Sequence, residues 1–358
     1  MPFHQTQLSM RSIILLLLIN LTLFLGSCQS EAQKANNSKK IQLWYTSTAN
    51  EWLEALPIGN GRLGAMIFGG VKEEQIQLNE ESLWAGMPED PYPEDVQKHY
   101  AAFQQLNMEG KYEEALNYGM KHLAVSPTSI RSYEPLGELH ITFDHHKSPE
   151  NYRRTLDMET GIVTSTYTID GKRYLREAFS SVKYNVIFYR FESLDGEPIN
   201  STIRFDREKD IVQNIGEGEI LFVDGQVFDD PNGYDDNVDG SGEPGLHMKF
   251  ASQITATLDN GSISGMENTL KIENSTGYTV IVSAATDYNL AKLNFDRNID
   301  AKDKALKTLV GALETAYNTA KEAHTAAHSE MFNRVALSLG GPIKDTIPTV
   351  KRLDQVRE

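Results

Sequence analysis

The chain reads as mainly β: a large antiparallel β-sandwich (supersandwich) with a helical insertion and a C-terminal linker helix. Three observations predict this. More than ten short apolar or alternating runs, separated by turn residues, lie between Leu43 and about Thr286, and such runs make half-buried strands that stack as two sheets. Asp170-Gly171 separates two of these runs, and that dipeptide between apolar segments is a strong hairpin signal. Helical spacing of apolar residues is confined to one stretch inside the β region and one after it.

The first segment is not part of that fold. Ile13–Leu18 is purely apolar, and the apolar character continues, broken by Asn20 and Thr22, to Gly26. About 14 residues is too short for a bilayer core that needs about 20, and it suits the h-region of an export signal. Arg11 is the sole formal charge before it, and Met10 offers a start that gives the compact opening MRSIILLLL. The run ends in LGSC (Leu25–Cys28), which resembles a bacterial lipobox, and Cys28 is the single cysteine of the chain. Residues 1–27 are therefore expected to be a lipoprotein signal peptide and Cys28 the lipidation site. Acyl chains worth about 0.8 kcal/mol per methylene would then hold an exported bacterial lipoprotein on the membrane of the cell envelope. Residues 28–40 are polar and lack large apolar side chains, so they read as a flexible tether. A lone cysteine also excludes an intramolecular disulfide.

Residues 41–290 carry the strands and read as one β-sandwich domain. Leu63–Gly69 and Glu74–Asn79 are separated by a turn, and Gly137–Phe143 alternates Leu139, Ile141 and Phe143 with Glu138, His140 and Thr142. Ile162–Ile169 and Arg173–Phe179 flank the Asp-Gly turn. Asn185–Glu192, Ser201–Asp206, Ile220–Val223, His247–Leu258, Ser262–Ile263, Thr269–Ile272 and Tyr278–Ala285 continue the series. The insertion spans about Glu94–Leu123, where Val96, Tyr100, Phe103 and Leu106, then Ala115, Leu116 and Met120, recur at helical spacing. Residues 291–358 read as a helical linker. Its long amphipathic helix, about Asp300–Phe332, sets Leu306, Leu309, Val310, Leu313 and Tyr317 on one face, and Thr349 after a proline starts a last helix.

The formal net charge is −16, and loss of residues 1–27 removes only Arg11 and moves it to −17. A chain this acidic is a poor partner for nucleic acid or an anionic membrane surface and favours neutral ligands.

Several segments bear a family's stamp. They are WLEALPIGNGRLGAMIFGG from Trp52, IQLNEESLWAG (Ile76–Gly86), YEPLGELHITF (Tyr133–Phe143), LDMETGIVTSTYTIDGKRYLREAF (Leu156–Phe179), and a terminal FNRVALSLGG followed by PTVKRL. In this order they resemble the N-terminal β-sandwich and linker of glycoside hydrolase family 95, the α-L-fucosidases, over about residues 41–358. The resemblance implies a fucosylated glycan as substrate, an inverting two-carboxylate mechanism, and catalytic carboxylates housed in an α/α barrel that follows the linker. This chain then carries no catalytic residue of its own and is expected to leave its last helix, and the Leu306, Leu309, Leu313 stripe, without the barrel they would meet. The related maltose-phosphorylase group also joins such a sandwich to a barrel, but Asn-Glu-Glu-Ser-Leu-Trp (Asn79–Trp84) favours fucosidases.

The motifs also have a physical reading. In Gly59-Asn60-Gly61-Arg62 two glycines flank Asn60, which tolerates left-handed backbone, so a tight turn is expected before a buried strand. Asn79, Glu80 and Glu81 with Trp84 offer an amide, carboxylates and an aromatic face. Asn60, Arg62, Asn79, Glu80 and Trp84 are the candidates for substrate binding or for seating the sandwich against a barrel, with Glu80 or Glu81 pairing or capping locally.

No metal or other cofactor is expected. His140, His145 and His146 read as solvated. The acidic Asp229–Pro244 segment matches only the first half of a calcium loop (Asp235, Asn237, Asp239, Gly240), with Leu246 where a bidentate Glu would stand. His324 and His328, four apart on a helix, lack the intervening Glu of a zinc protease and read as packing. A second function class stays open: a lipid-anchored module that binds or docks glycans by itself.

Overall fold

The computed structural model describes residues 41–86, 95–124, 132–144, 147–229, 245–337 and 346–357. Gln42–Leu337 and Ile347–Glu358 cluster as one unit, and the fold described below lies within it; the other unit, Met1–Ile41 with Ser338–Thr346, falls almost wholly outside the described residues. The signal, lipidation and tether segments, His145 and His146, and residues 230–244 also lie outside them.

Two antiparallel sheets form the sandwich. The smaller has seven strands in the order β14-β15-β10-β5-β4-β3-β2. These are β2 (Leu56–Gly59), β3 (Leu63–Ile67), β4 (Glu73–Glu80), β5 (Gly137–Phe143), β10 (Ile199–Asp206), β14 (Ser262–Met266) and β15 (Thr269–Ser275). The larger has nine, in the order β1-β6-β7-β8-β9-β16-β13-β12-β11. Its members are β1 (Gln42–Tyr45), β6 (Glu150–Asp157), β7 (Ile162–Ile169), β8 (Lys172–Ser181), β9 (Val186–Ser193), β11 (Ile211–Glu217), β12 (Ile220–Asp229), β13 (Gly245–Leu258) and β16 (Gly277–Thr286). A short hairpin of β17 (Tyr288–Asn289) and β18 (Asn294–Phe295) follows. The Asp-Gly turn joins β7 and β8 with Ile169 opposite Lys172, and both turn residues have positive φ, at 52° and 74°, as the favoured two-residue hairpin requires.

Inward-facing residues of both sheets make one apolar core, including Leu63, Ile67, Ile76, Leu78, Leu139, Ile141 and Ile203 from one sheet and Tyr189, Phe191, Val223, Ile254, Tyr278 and Val280 from the other. The outer faces differ. Every residue of β16 is buried, because the nine-stranded sheet is covered on its far side by α3 (Ala301–Leu313) and α4 (Tyr317–Phe332). Ala251 and Ala285 of the sheet meet Ala301 and Ala305 of α3, and such small side chains let helix backbone lie close to a sheet. Phe179, Phe188 and Ile281 meet Leu309, Ala312 and Ala320 next to them. Most strands of the seven-stranded sheet alternate, with Gln75, Gln77 and Asn79 of β4 half-exposed between buried Glu74, Ile76, Leu78 and Glu80, as a sheet with one solvated face does.

Several expectations change in detail. The insertion is two helices, α1 (Val96–Met108) and α2 (Tyr112–His122), because Gly110 turns the chain at φ 74°. The long linker helix is likewise split between Leu313 and Tyr317. Its apolar stripe is not left bare, since Leu309 is fully buried on the sheet and Leu313 and Tyr317 pack beside it, whereas Val310 turns outward, 49 % exposed. Asp300 caps α3 by accepting from the backbone N–H groups of Lys302 and Asp303. The last helix, α5 (Thr349–Arg357), is not unpacked: Thr349 Oγ1 accepts from Trp44 N–H at 2.9 Å, and Arg352 donates to Gln42 O at 3.3 Å.

Candidate functional site

The five candidate residues do not converge on one point. Three of them, Asn60, Arg62 and Glu80, build a clasp between the sheets. The β2–β3 turn is closed by Asn60, whose Oδ1 accepts from the N–H groups of Arg62 and Leu63 at 2.9 and 2.7 Å. The left-handed backbone falls on Gly61, at φ 91°, rather than on Asn60. Asn60 Nδ2 then donates across to Ser181 O at the end of β8. Arg62 is held by Asn185 through Oδ1 at 2.7 Å and the backbone carbonyl at 3.1 Å, by Ala284 O of β16 at 2.8 Å, and by Glu80 Oε1 at 3.1 Å. These contacts occupy four of the guanidinium's five N–H donors. Its side chain is 19 % exposed and that of Glu80 3 %. The second Glu80 oxygen accepts from Ser82 N–H and Oγ, and Ser82 Oγ meets Thr286 Oγ1 at 2.5 Å. A carboxylate so enclosed joins one sheet to the other.

Trp84 sits beside this clasp. Its indole N–H reaches Glu81 O at 3.3 Å, and its ring meets Tyr133 edge-on with centroids 5.2 Å apart. Trp84 and Tyr133 form a β-bridge, and Tyr133 donates its hydroxyl to Glu80 O at 2.9 Å. Burial, and after it the charges of Glu80 and Glu81, push the Tyr133 hydroxyl above its ordinary value, so it remains a donor. Both rings are over a third exposed.

Asn79 points the other way, since successive side chains of a strand take opposite faces. It lines a groove of about 680 Å³ on the outer face of the seven-stranded sheet, with Trp52, Gln77, Glu138, Asp206 and Glu208 around it. Trp52 opens a single 3-10 turn, Trp52–Glu54, and is 54 % exposed. Register aligns Gln77 with Glu138 and Glu138 with Asp206 across three strands. Gln75 and Gln77 donate to the two oxygens of Glu138 at 2.9 and 2.7 Å. His140 is less exposed than a solvated reading expects: its side chain is 12 % exposed between Glu73 at 3.0 Å and Glu138 at 3.3 Å. At the groove's edge Gly137 has φ 145°, and a Cβ there would lie 2.4 Å from Phe205 Cζ, so only glycine lets β5 and β10 pass so closely.

Sequence reasoning missed a buried charged centre. Glu74 is fully buried and accepts from Gly69 N–H at 2.7 Å, Tyr189 Oη at 2.8 Å and Arg176 at 3.1 Å. Arg176 also donates to Gly70 O and Val71 O, and lies over the Phe143 ring at 4.2 Å. Burial raises the Glu74 carboxyl above its usual value, against the opposing pull of Arg176, Tyr189 and the Gly69 amide. The signal was present. Glu74, Glu80 and Arg176 occupy the inward phase of strands whose other inward residues are mostly apolar, Ser180 being the polar one.

Among the described residues no group of three or more His, Cys, Asp or Glu is arranged to hold a metal ion. His324 stacks on Phe179 with centroids 4.7 Å apart, and His328 Nε2 lies 3.0 Å from Met158 O; both pack α4 onto the sheet. No helix among the described residues is long and apolar enough to cross a membrane.

The model of the glycosyl hydrolase family 65 N-terminal domain matches residues 43–291, and the chain belongs to that family. Curated relatives are Alpha-L-fucosidase 2 of Arabidopsis thaliana, 27 % identical over 90 % of this chain and 39 % of that protein, and Probable alpha-fucosidase A of Aspergillus niger, 26 % identical over 80 % and 36 %. The chain thus spans less than two fifths of the length of these relatives. Among solved structures, a putative kojibiose phosphorylase from the human microbiome aligns over 82 % of this chain and 39 % of its own, at 11 % identity and a TM-score of 0.42.

Proposed function

We propose that this chain is the N-terminal, non-catalytic part of an exported α-L-fucosidase-like glycoside hydrolase that removes terminal fucose from glycans. The observation that carries the reading is the likeness to fucosidases along 90 % and 80 % of the chain, together with the family-95 motifs, in a chain that takes up under two fifths of either relative. In this reading the acid that protonates the leaving oxygen and the base that activates water come from an α/α barrel beyond the linker, about 6.5–9.5 Å apart as inversion requires. The sandwich serves as a rigid seat. Its motif carboxylate, Glu80, is committed to Arg62 and Ser82, and Glu81 beside it is exposed, so the two cannot flank a sugar ring as an acid–base pair.

The full chain is expected to release no fucose from fucosyl-α-1,2-galactosyl-β-1,4-glucose above the buffer rate. Turnover that is abolished by Glu80→Gln would overturn the division of labour. The same proposal includes lipidation at Cys28 and residence on the cell envelope. Expressed in a bacterium with lipoprotein processing, the protein is expected in the membrane fraction, and Cys28→Ser is expected to release or misprocess it. Equal retention of the serine variant would remove Cys28 from the anchor.

A further inference from the structure

We infer that the groove on the outer face of the seven-stranded sheet is an oligosaccharide-binding site, taking a neutral glycan by stacking on Trp52 and by hydroxyl contacts to Asn79, Gln77 and Asp206. The groove, at about 680 Å³, lies within the range of small-ligand sites, about 300–1,000 Å³.

Its lining has the polarity a sugar needs. Trp52 lies outside the apolar core cluster and is 54 % exposed at the rim, an aromatic surface suited to the C–H face of a pyranose. The Asn79 side chain has no hydrogen-bond partner among the described residues, while its backbone lies in the β3–β4 ladder, and the amide can both donate and accept. Gln77 is fixed through its Nε2 on Glu138, which leaves its carbonyl oxygen to receive a hydroxyl proton. Glu138 is itself held by Gln75, Gln77 and His140, so these side chains are oriented before a ligand arrives.

Charge narrows the ligand class. Glu138, Asp206 and Glu208 line the groove as acids. Among the described residues Arg207 is the one cation in the lining, and it is turned away: its side chain is 5 % exposed and engages Pro135 O, Glu134 and Asp210, while Arg204 is paired with the lining Asp206 and with Glu73. A groove rich in acceptors and short of available cations repels phosphates, sulfated glycans and nucleic acid, and it suits the many O–H donors of an uncharged sugar. The inference borrows from the fucosidase reading only the choice of probe. Binding needs no catalytic group.

The test titrates the full chain with fucosyl-α-1,2-galactosyl-β-1,4-glucose and, in parallel, with maltotriose, following heat and tryptophan fluorescence. Of the three tryptophans in the chain, Trp52 is the most exposed at 54 %, against 8 % for Trp44 and 37 % for Trp84, so a bound sugar should change its emission most. At least one sugar is expected to bind with a Kd on the order of 1 mM, weakened about tenfold or more by Trp52→Ala and by Asn79→Ala. Leu53→Ala, at a neighbouring residue 80 % exposed, is expected to bind as the parent does. Unfolding midpoints equal to the parent's would show that the weakened variants are folded. No signal from either sugar up to about 50 mM, or equal binding by Trp52→Ala, would overturn the inference. If the chain binds through Trp52 while no fucosidase activity is found with or without a following barrel, the groove stands and the hydrolase reading falls. Fucosidase activity with a silent groove is the reverse outcome.

Discussion

Replacing Arg62 by alanine should weaken the protein through the clasp between its sheets. The change removes four hydrogen bonds, two to Asn185 and one each to Ala284 O and Glu80. It strands the Glu80 carboxylate, whose side chain is 3 % exposed, with Ser82 as its remaining partner. Hydrogen bonds to charged groups contribute about 1.5–3 kcal/mol each, and breaking a buried pair costs about 3–5 kcal/mol. Because the Arg62 side chain is 19 % exposed, water replaces part of what is lost, and the lower end applies: about 3 kcal/mol, or a fall in Tm of about 5–8 °C. Arg62→Lys keeps the charge but not the fork, so it should recover less than half of that. Urea unfolding followed by tryptophan fluorescence and far-UV circular dichroism reads both, with an unchanged slope as the sign that only stability moved. A double-mutant cycle with Glu80→Gln should give a coupling of about 1–3 kcal/mol. A loss below about 1 kcal/mol for Arg62→Ala, or a neutral Arg62→Lys, would refute the clasp. Lost glycan binding at unchanged stability would make Arg62 a ligand residue instead.

Other perturbations follow from the same contacts. Arg176→Met should cost about 3–5 kcal/mol by leaving the Glu74 carboxylate buried without its cation, and adding Glu74→Gln should recover part of it in the same urea titration. Gly137→Ala, with its new Cβ 2.4 Å from Phe205 Cζ and 2.8 Å from Asp206 O, should destabilise by about 2 kcal/mol, measured as a lower Tm. Burial, and then the neighbouring His328, hold the His324 ring below its ordinary value. Below about pH 6.5 the unfolded chain therefore takes up a proton that the folded chain refuses, and stability falls as the pH drops through that window. His324→Phe, which keeps the stacking on Phe179, should flatten this part of the stability profile; an unchanged slope would assign it to another group.

Much of the sandwich was legible because alternation is a property of the sequence itself. β5, β7, β10 and the Asp-Gly hairpin follow directly from residues 137–143, 162–169, 201–206 and 170–171. The strands that were missed break the rule that inward means apolar. β6 carries Arg153 and Arg154 side by side, yet Arg154 is buried and donates to Ser47 O and Glu54 O beneath the Tyr45 ring. β11 is an edge strand with mixed exposure, and β1 and β2 are four residues each, too short to set a period. At the site, the sequence could place Asn79 and Glu80 next to each other. Only the pleat separates them, sending one into a groove and the other into a closed ion pair. Trp52 was part of a motif, but nothing local says that a tryptophan will be left outside; that follows from the 3-10 turn that opens with it.

The pairing order of the nine-stranded sheet also bears on how the chain folds. β9 ends at Ser193, and its neighbour β16 begins at Gly277; β1 waits for β6, and Trp44 is tied to Thr349 across 305 residues. Contacts this distant in sequence make folding slow, because each loop must close before any partner rewards it. A polypeptide that emerges amino-end first during synthesis cannot complete this sheet until the segment carrying β16 has followed. The sheet therefore closes late, once β16 is available to pair with β9 and β13.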